Sequence, residues 1–195
     1  GIEAAVTASE RGHKVTLLER SKRLGGTLFF AALAYPENGK LLDYHLRQLA
    51  QSKVTVKLNT TATPKLISTL NADEVFVATG ASRGMPDIQG CELSHVWSGE
   101  QLRQLLTGEV STNTSNKLTA LQRLMLGAGN TLGLTKHVDK LQRLSHLWMP
   151  LGKRVTIVGG GLVGLELAEF LAERGREVTV IEAGRNLGIE LSIVR

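Results

Sequence analysis

Two rhythms of apolar positions recur along this chain. Lys153 to Val158 is a short β-branched run that reads as a buried parallel strand. A helical period follows, with Leu162, Leu165, Leu167, Ala168, Phe170 and Leu171 apolar and Gly175 closing it. Glu177 to Ile181 is a second strand, ending at Glu182. Upstream, Leu42, Leu46 and Leu49 recur at helical spacing and predict a helix over Asp43 to Gln51. Val54-Thr55-Val56-Lys57-Leu58 alternates as a strand, and Asp73 to Gly80 reads as a buried strand ending in a small-residue turn. Met85 to Gly90 is an extended loop. Ser98 to Leu106 is a short helix with Ser98 as N-cap and Gln101 at the capping-box position. Residues 107–117 are polar and read as a loop or linker. Residues 118–126 and 135–148 are two amphipathic helices, with Val138, Leu141, Leu144 and Trp148 on one face of the second. Gly127-Ala128-Gly129-Asn130 between them is read as a turn, because no buried strand precedes it as a phosphate loop requires.

The chain repeats itself at an offset of 163 residues. Gly1 pairs with Gly164, Glu10-Arg11-Gly12 with Glu173-Arg174-Gly175, Val15-Thr16 with Val178-Thr179, Glu19 with Glu182 and Leu24-Gly25 with Leu187-Gly188. The Glu–Arg pairs read as solvated charges at helix ends. The second copy is complete: strand, Gly159-Gly160-Gly161-Leu162-Val163-Gly164, helix, strand, acid. That is a G-x-G-x-x-G fingerprint in its full context, the signature of a dinucleotide site. Gly159 permits the tight turn, Gly161 lets a pyrophosphate reach the backbone, and Gly164 lets helix and strand pack closely. The helix N-terminus offers N–H groups and a positive dipole end to phosphate. Glu182 stands 18 residues after Gly164, placed to accept bonds from ribose hydroxyls. Its carboxylate favours NADH over NADPH, although Arg185 offers a charge to a 2′-phosphate. The first copy begins at the third glycine and the second stops at Arg195, so both ends read as cut and the chain as a fragment.

Charge and composition narrow the classes. The net charge of +5 is concentrated in residues 117–154, which carry +6, leaving −1 for the remainder. That segment has one aromatic, Trp148, and lacks the basic-plus-aromatic pattern of a single-strand nucleic-acid surface. It reads as a solvated helical face, and no nucleic-acid partner is expected. The single cysteine, Cys91, excludes an internal disulfide, a C-x-x-C pair and a self-contained cysteine metal site, and is expected to be a packing residue. The five histidines show no metal-ligand spacing, so no metal site is expected here. No apolar run approaches the ~18 residues of a membrane span, so neither a membrane partner nor a secretory route is expected and the protein is placed in the cytoplasm.

The unit ending in Glu19, then Leu24-Gly25-Gly26, Val54 to Thr63, Val77-Ala78-Thr79-Gly80 and the second fingerprint resemble the two-dinucleotide-domain flavoproteins. Within them the chain looks most like the C-terminal half of the Old Yellow Enzyme-type fusion proteins, such as 2,4-dienoyl-CoA reductase, trimethylamine dehydrogenase and enoate reductases. The resemblance implies an α/β fold of Rossmann-like, three-layer FAD/NAD(P)-binding domains. It divides the chain into an FAD-binding domain over residues 1–106, a helical linker over 107–150 and the start of an NAD(P)H-binding domain over 151–195. It implies that Gly1, Glu19, Arg20, Gly25 and Gly26 belong to the FAD site, that Ala62 makes a backbone contact to adenine, and that Thr79 and Gly80 lie near the flavin. Gly159, Gly160, Gly161, Gly164 and Glu182 would hold the nicotinamide dinucleotide. It also implies a domain outside this chain with FMN and a [4Fe–4S] cluster, which meets the small-molecule substrate. None of the family's catalytic residues maps onto these positions. The linker is longer here than in the family.

The expected function is therefore transfer of a hydride from NADH to FAD, feeding reduction of an activated C=C bond elsewhere in the protein, with a homo-oligomer compatible with the family. Two rivals stand beside it: a nucleotide-binding module with ADP in the first site and no electron transfer, and a disulfide-reductase-like flavoprotein.

Overall fold

The computed structural model describes residues 1–81, 84–85, 87–107, 110–131 and 138–189. Helix α1 (Ile2–Glu10) runs into strand β1 (Thr16–Leu18) through Gly12, whose φ of +91° a side chain would resist. Helices α2 (Gly26–Ala34) and α3 (Pro36–Gln51) follow, then β2 (Thr55–Lys57) and α4 (Pro64–Thr69). β1 and β2 pair in parallel with Leu17 opposite Val56. The pairing is extended beyond the strand ends by Thr55 N–H to Val15 O and Glu19 N–H to Lys57 O, both 2.9 Å.

The helical reading of 43–51 holds but starts too late. α3 begins at Pro36, whose fixed φ suits the first helical position and whose missing N–H costs nothing there. Helices α2 and α4 lie where no helix was expected. α2 is apolar on nearly every face, so it shows no amphipathic period, and Phe29, Ala32 and Leu33 are buried. α4 is only six residues long, too short for a period, but carries the start signals of an N-cap Thr63 and Pro64. Thr63 Oγ1 accepts from Leu66 N–H at 3.2 Å.

Asp73 to Gly80 corrects the strand expectation. The segment forms no ladder, and Phe76 and Val77 are 80% and 82% exposed. A parallel strand of apolar residues becomes regular only when a neighbour supplies the hydrogen-bond partners, and among the described residues none does. The segment passes the start of α1: a Cβ built on Gly1 would lie 3.6 Å from that of Ala78.

The described residues of 98–147 are largely helical. α5 (Gly99–Thr107) starts with the expected capping box: Gln101 N–H donates to Ser98 Oγ, and Ser98 N–H to Gln101 Oε1, both at 3.1 Å. Residues 107–117 are not all loop. Thr112–Asn116 is a short helix, α6, capped by Ser111, and Thr114 Oγ1 donates to Gln104 Oε1 at 2.9 Å. The turn expected at Gly127 to Asn130 is instead helical, inside α7 (Ala120–Thr131). Neither Gly127 nor Gly129 takes a positive φ, and Thr131 Oγ1 donates back to Gly127 O at 2.9 Å. α8 (Val138–Leu147) covers the described part of the second amphipathic helix; residues 135–137 lie outside the described residues, as do Pro86 of the expected extended loop and residues 108–109.

The second unit follows its sequence pattern: β3 (Arg154–Val158), α9 (Leu162–Ala172) and β4 (Glu177–Ile181), with β3 and β4 parallel and Ile157 opposite Val180. One apolar cluster joins Leu33 of α2, Met149, Ile157 of β3 and Phe170 and Leu171 of α9. A second gathers Leu102, Leu105 and Leu118. Among the described residues no helix is long and apolar enough to cross a membrane.

Arg174 corrects the reading of solvated charges at both helix ends. Its copy Arg11 is exposed, but the Arg174 side chain is 3% exposed. Its Nε donates to Ser145 Oγ at 2.8 Å and its Nη1 to Phe170 O at 2.8 Å, with the guanidinium 3.6 Å over the Phe170 ring. The first copy has no α8 to cover its arginine. In the basic segment Lys117 also departs from a purely solvated face, donating to Val96 O at 2.5 Å; Arg123, Lys140, Arg143, Lys153 and Arg154 are exposed.

Candidate cofactor-binding sites

At the C-terminal end of β3 the chain turns at Gly159, with φ +111°. Gly159 N–H donates to Ile181 O at 2.8 Å, which closes the turn against β4. Gly161 is the N-cap of α9, and Leu165 N–H donates to its carbonyl at 3.0 Å. Gly164 is irreplaceable on space alone: a Cβ there would collide with the Gly159 carbonyl oxygen. Gly160 is buried, and a Cβ on it would run into Leu187 and lie 3.1 Å from the Glu182 Cβ. Around the turn, Val158, Val163 and Ile181 are each more than half exposed, an apolar floor at the strand ends where such folds take their ligands.

Glu182 closes the site. Its Oε2 accepts from Gly160 N–H and its Oε1 from Gly184 N–H, each at 2.7 Å. The Gly184 bond first, then the Gly160 bond, hold the carboxyl below its usual range and so keep it charged. Gly188 N–H donates to Gly160 O at 2.8 Å, so the 183–188 loop folds back onto the glycine turn. Sequence reasoning found Glu182 and the glycines but not this loop; the Leu187-Gly188 pair of the repeat was its signal.

The first unit presents the same parts. Glu19 Oε1 accepts from Ser21 N–H at 2.8 Å. Thr60 N–H donates to Glu19 O at 2.9 Å, tying the end of β2 to the acid. Ala62 follows, exposed, just ahead of the Thr63 cap. Gly25 caps α2 in the left-handed region at φ +110°, with a built Cβ only 2.9 Å from Leu42, and Gly26 starts the helix at φ +49°. Gly1 caps α1, and Ala5 N–H donates to its carbonyl at 3.0 Å. Thr79 and Gly80 follow Ala78, which lies beside Gly1; Gly80 has φ +74°. Arg20 is exposed next to Glu19, and its charge reaches Glu100 of α5. Thus Gly1 and Ala78 meet, as do Glu19 and the end of β2. Gly25 packs against Leu42 and Phe29 instead.

These features fit dinucleotides. Each unit has a helix start without a side-chain cap and a glycine where a Cβ would intrude, and its acid accepts from backbone N–H, one for Glu19 and two for Glu182. No three described His, Cys, Asp or Glu side chains assemble as a metal site. Cys91 is half-buried.

Residues 1–192 match the family of pyridine nucleotide-disulphide oxidoreductases. The chain belongs to this family. It is similar to the bilirubin reductase of Mediterraneibacter gnavus and to the NADH oxidase of Thermoanaerobacter brockii, each 31% identical over 98% of this chain and 24% of that protein. It is 30% identical to the cinnamate reductase of Clostridium sporogenes over 93% of this chain and 21% of that protein. The structure of a 2-naphthoyl-CoA reductase in complex with 2-naphthoyl-CoA superposes with a TM-score of 0.71 at 25% identity, over 97% of this chain and 23% of that one. The chain therefore spans about a quarter of the length of these relatives. This oxidoreductase segment has the Rossmann-like FAD/NAD-binding fold, and it is a flavin-dependent oxidoreductase domain of the FAD/NAD(P)H class.

Proposed function

We propose that the segment binds FAD in its first unit and NADH in its second, and presents them to each other for hydride transfer. Flavin, when bound, supplies the hydride-accepting chemistry. The chain's own residues bind and orient. Gly1, Glu19, Arg20, Gly25, Gly26, Ala62, Thr79 and Gly80 hold the first cofactor; Gly159, Gly160, Gly161, Gly164 and Glu182 hold the second. The boundaries are residues 1–106, 107–150 and 151–195. The observation that carries the reading is the Glu182 carboxylate, charged and fixed by Gly160 and Gly184 N–H at the mouth of the glycine turn. Two backbone bonds leave lone pairs for both ribose hydroxyls, while the charge repels a 2′-phosphate. NADH is therefore preferred over NADPH.

In the whole protein, electrons pass on to FMN and a [4Fe–4S] cluster outside this segment and reduce an activated C=C bond of a small molecule in the cytoplasm. The names of the relatives, reductases of cinnamate, bilirubin and naphthoyl-CoA, support that class. The test is an anaerobic titration of the full-length protein with NADH, following flavin absorbance. Bleaching at stoichiometric NADH is expected. Bound flavin that stays yellow would remove the second unit as a working NADH site. A protein without flavin would be a nucleotide-binding module instead.

A further inference from the structure

Helix α8 belongs to the segment between the two repeated units and has no counterpart in either. We infer that α8 is a brace that sets the angle between the FAD unit and the NADH unit, with Gln142 as its positioning residue. The inference rests on the NADH-to-FAD reading above.

α8 grips the first unit. Gln142 Nε2 donates to Ala32 O at 2.8 Å and reaches Leu33 O at 3.4 Å. Both carbonyls lie in the last turn of α2, where helix carbonyls have no intrahelical donor. A side chain from the linker thus completes a helix end of the first unit. Three residues on, from the same face, α8 meets the second unit, because Arg174 at the end of α9 donates to Ser145 Oγ at 2.8 Å. Val138 and Leu141 pack into the cluster that contains Leu33 of the first unit and Phe170 and Leu171 of the second. Beside these contacts Tyr35 Oη donates to Glu169 Oε2 at 2.9 Å, a direct bond from the α2–α3 junction to α9. That bond raises the Tyr35 hydroxyl to about 12, so it stays protonated as a donor across the working pH range.

Two cofactors held on two units react only if the units are correctly turned. Reacting atoms must approach to about 3–3.5 Å, and a misplacement of ~1 Å can cost ~100-fold in rate. A donor lost at the seam would let one unit rotate against the other while leaving each binding site intact. Gln142 lies in neither site, so its effect must fall on the transfer step and not on affinity.

The experiment uses the full-length, FAD-loaded protein with three variants: Gln142→Met, which keeps length and removes the donor, Tyr35→Phe, and Leu118→Ala, which loosens the second cluster instead. Stopped-flow reduction by NADH and by 4-deuterated NADH gives the rate of the transfer step; titration gives NADH affinity. Gln142→Met and Tyr35→Phe should each slow flavin reduction about five- to tenfold, with FAD content and NADH Kd within twofold of wild type. Leu118→Ala should lower Tm while leaving the reduction rate within twofold. A wild-type rate in Gln142→Met would overturn the brace alone. So would a slowing in Leu118→Ala equal to that in Gln142→Met, which would mark a loss of general stability. Wild-type flavin that NADH does not bleach would refute the underlying reading and the brace with it.

Discussion

Glu19 and Glu182, 163 residues apart, accept the same bond in the same way: each takes the N–H two residues further on, at 2.8 Å and 2.7 Å. The copies differ in what else the acid holds, since Glu182 also fixes Gly160. Equivalent substitutions should therefore separate the cofactors. Glu182→Gln should reduce the NADH-over-NADPH ratio of kcat/KM about tenfold, because the charge that repels a 2′-phosphate is gone. Glu19→Gln should leave that ratio alone and weaken FAD binding roughly tenfold, the scale of one bond to a charged acceptor. Nicotinamide kinetics and flavin content after dialysis read the two effects.

The Glu182 carboxyl is depressed in the folded protein by its backbone bonds. The sign follows from linkage. Its stabilisation is complete above the unfolded carboxylate value of about 4.3 and is lost as pH falls through the lower folded value. The Tm gap between wild type and Glu182→Gln should hold steady from neutral pH to about 5 and close below about 4. A gap that widened on acidification would contradict this. The coenzyme ratio should likewise stay flat between about pH 7 and 8, since the carboxylate remains charged and the 2′-phosphate, with a second pKa of about 6, is almost fully ionised there.

Two glycine substitutions should move stability in opposite directions. Gly164→Ala drives a Cβ into the Gly159 carbonyl, so either the helix or the turn must shift. A loss of about 1–3 kcal/mol and of NADH binding is expected. Gly127→Ala meets nothing within 4 Å inside α7 and should add up to about 1 kcal/mol. Chemical denaturation of both variants decides it.

Arg174→Leu should cost about 1.5–3 kcal/mol, because Ser145 Oγ and Phe170 O lose a charged donor and the guanidinium no longer covers the Phe170 ring. The same change at Arg11, its exposed copy, should fall within about 0.5 kcal/mol. Paired denaturation curves make the comparison.

The repeat was legible because it is written in residues with strong local demands. Gly12 and Gly175, and Gly25 and Gly188, all take positive φ, and both acids sit one residue beyond their strands. The Ser98–Gln101 cap was legible for the same reason. What escaped was decided by surroundings. α2 is apolar all round and shows no period; Gly127 and Gly129 look like a turn but are carried by the helix on either side. Asp73 to Gly80 has the composition of a strand and, among the described residues, lacks the neighbour that makes one. Arg174 reads as surface until α8 covers it, and nothing local in its sequence encodes a partner 29 residues away.

The extended run at Val75, Phe76 and Val77 has a practical consequence. Among the described residues it has no ladder partner, and its exposed apolar side chains flank free backbone, the arrangement on which a strand from another molecule adds most readily. Handled at high concentration by itself, this polypeptide carries its own seed for intermolecular β-sheet growth, and a lysine at Val77 is the smallest change that would blunt it.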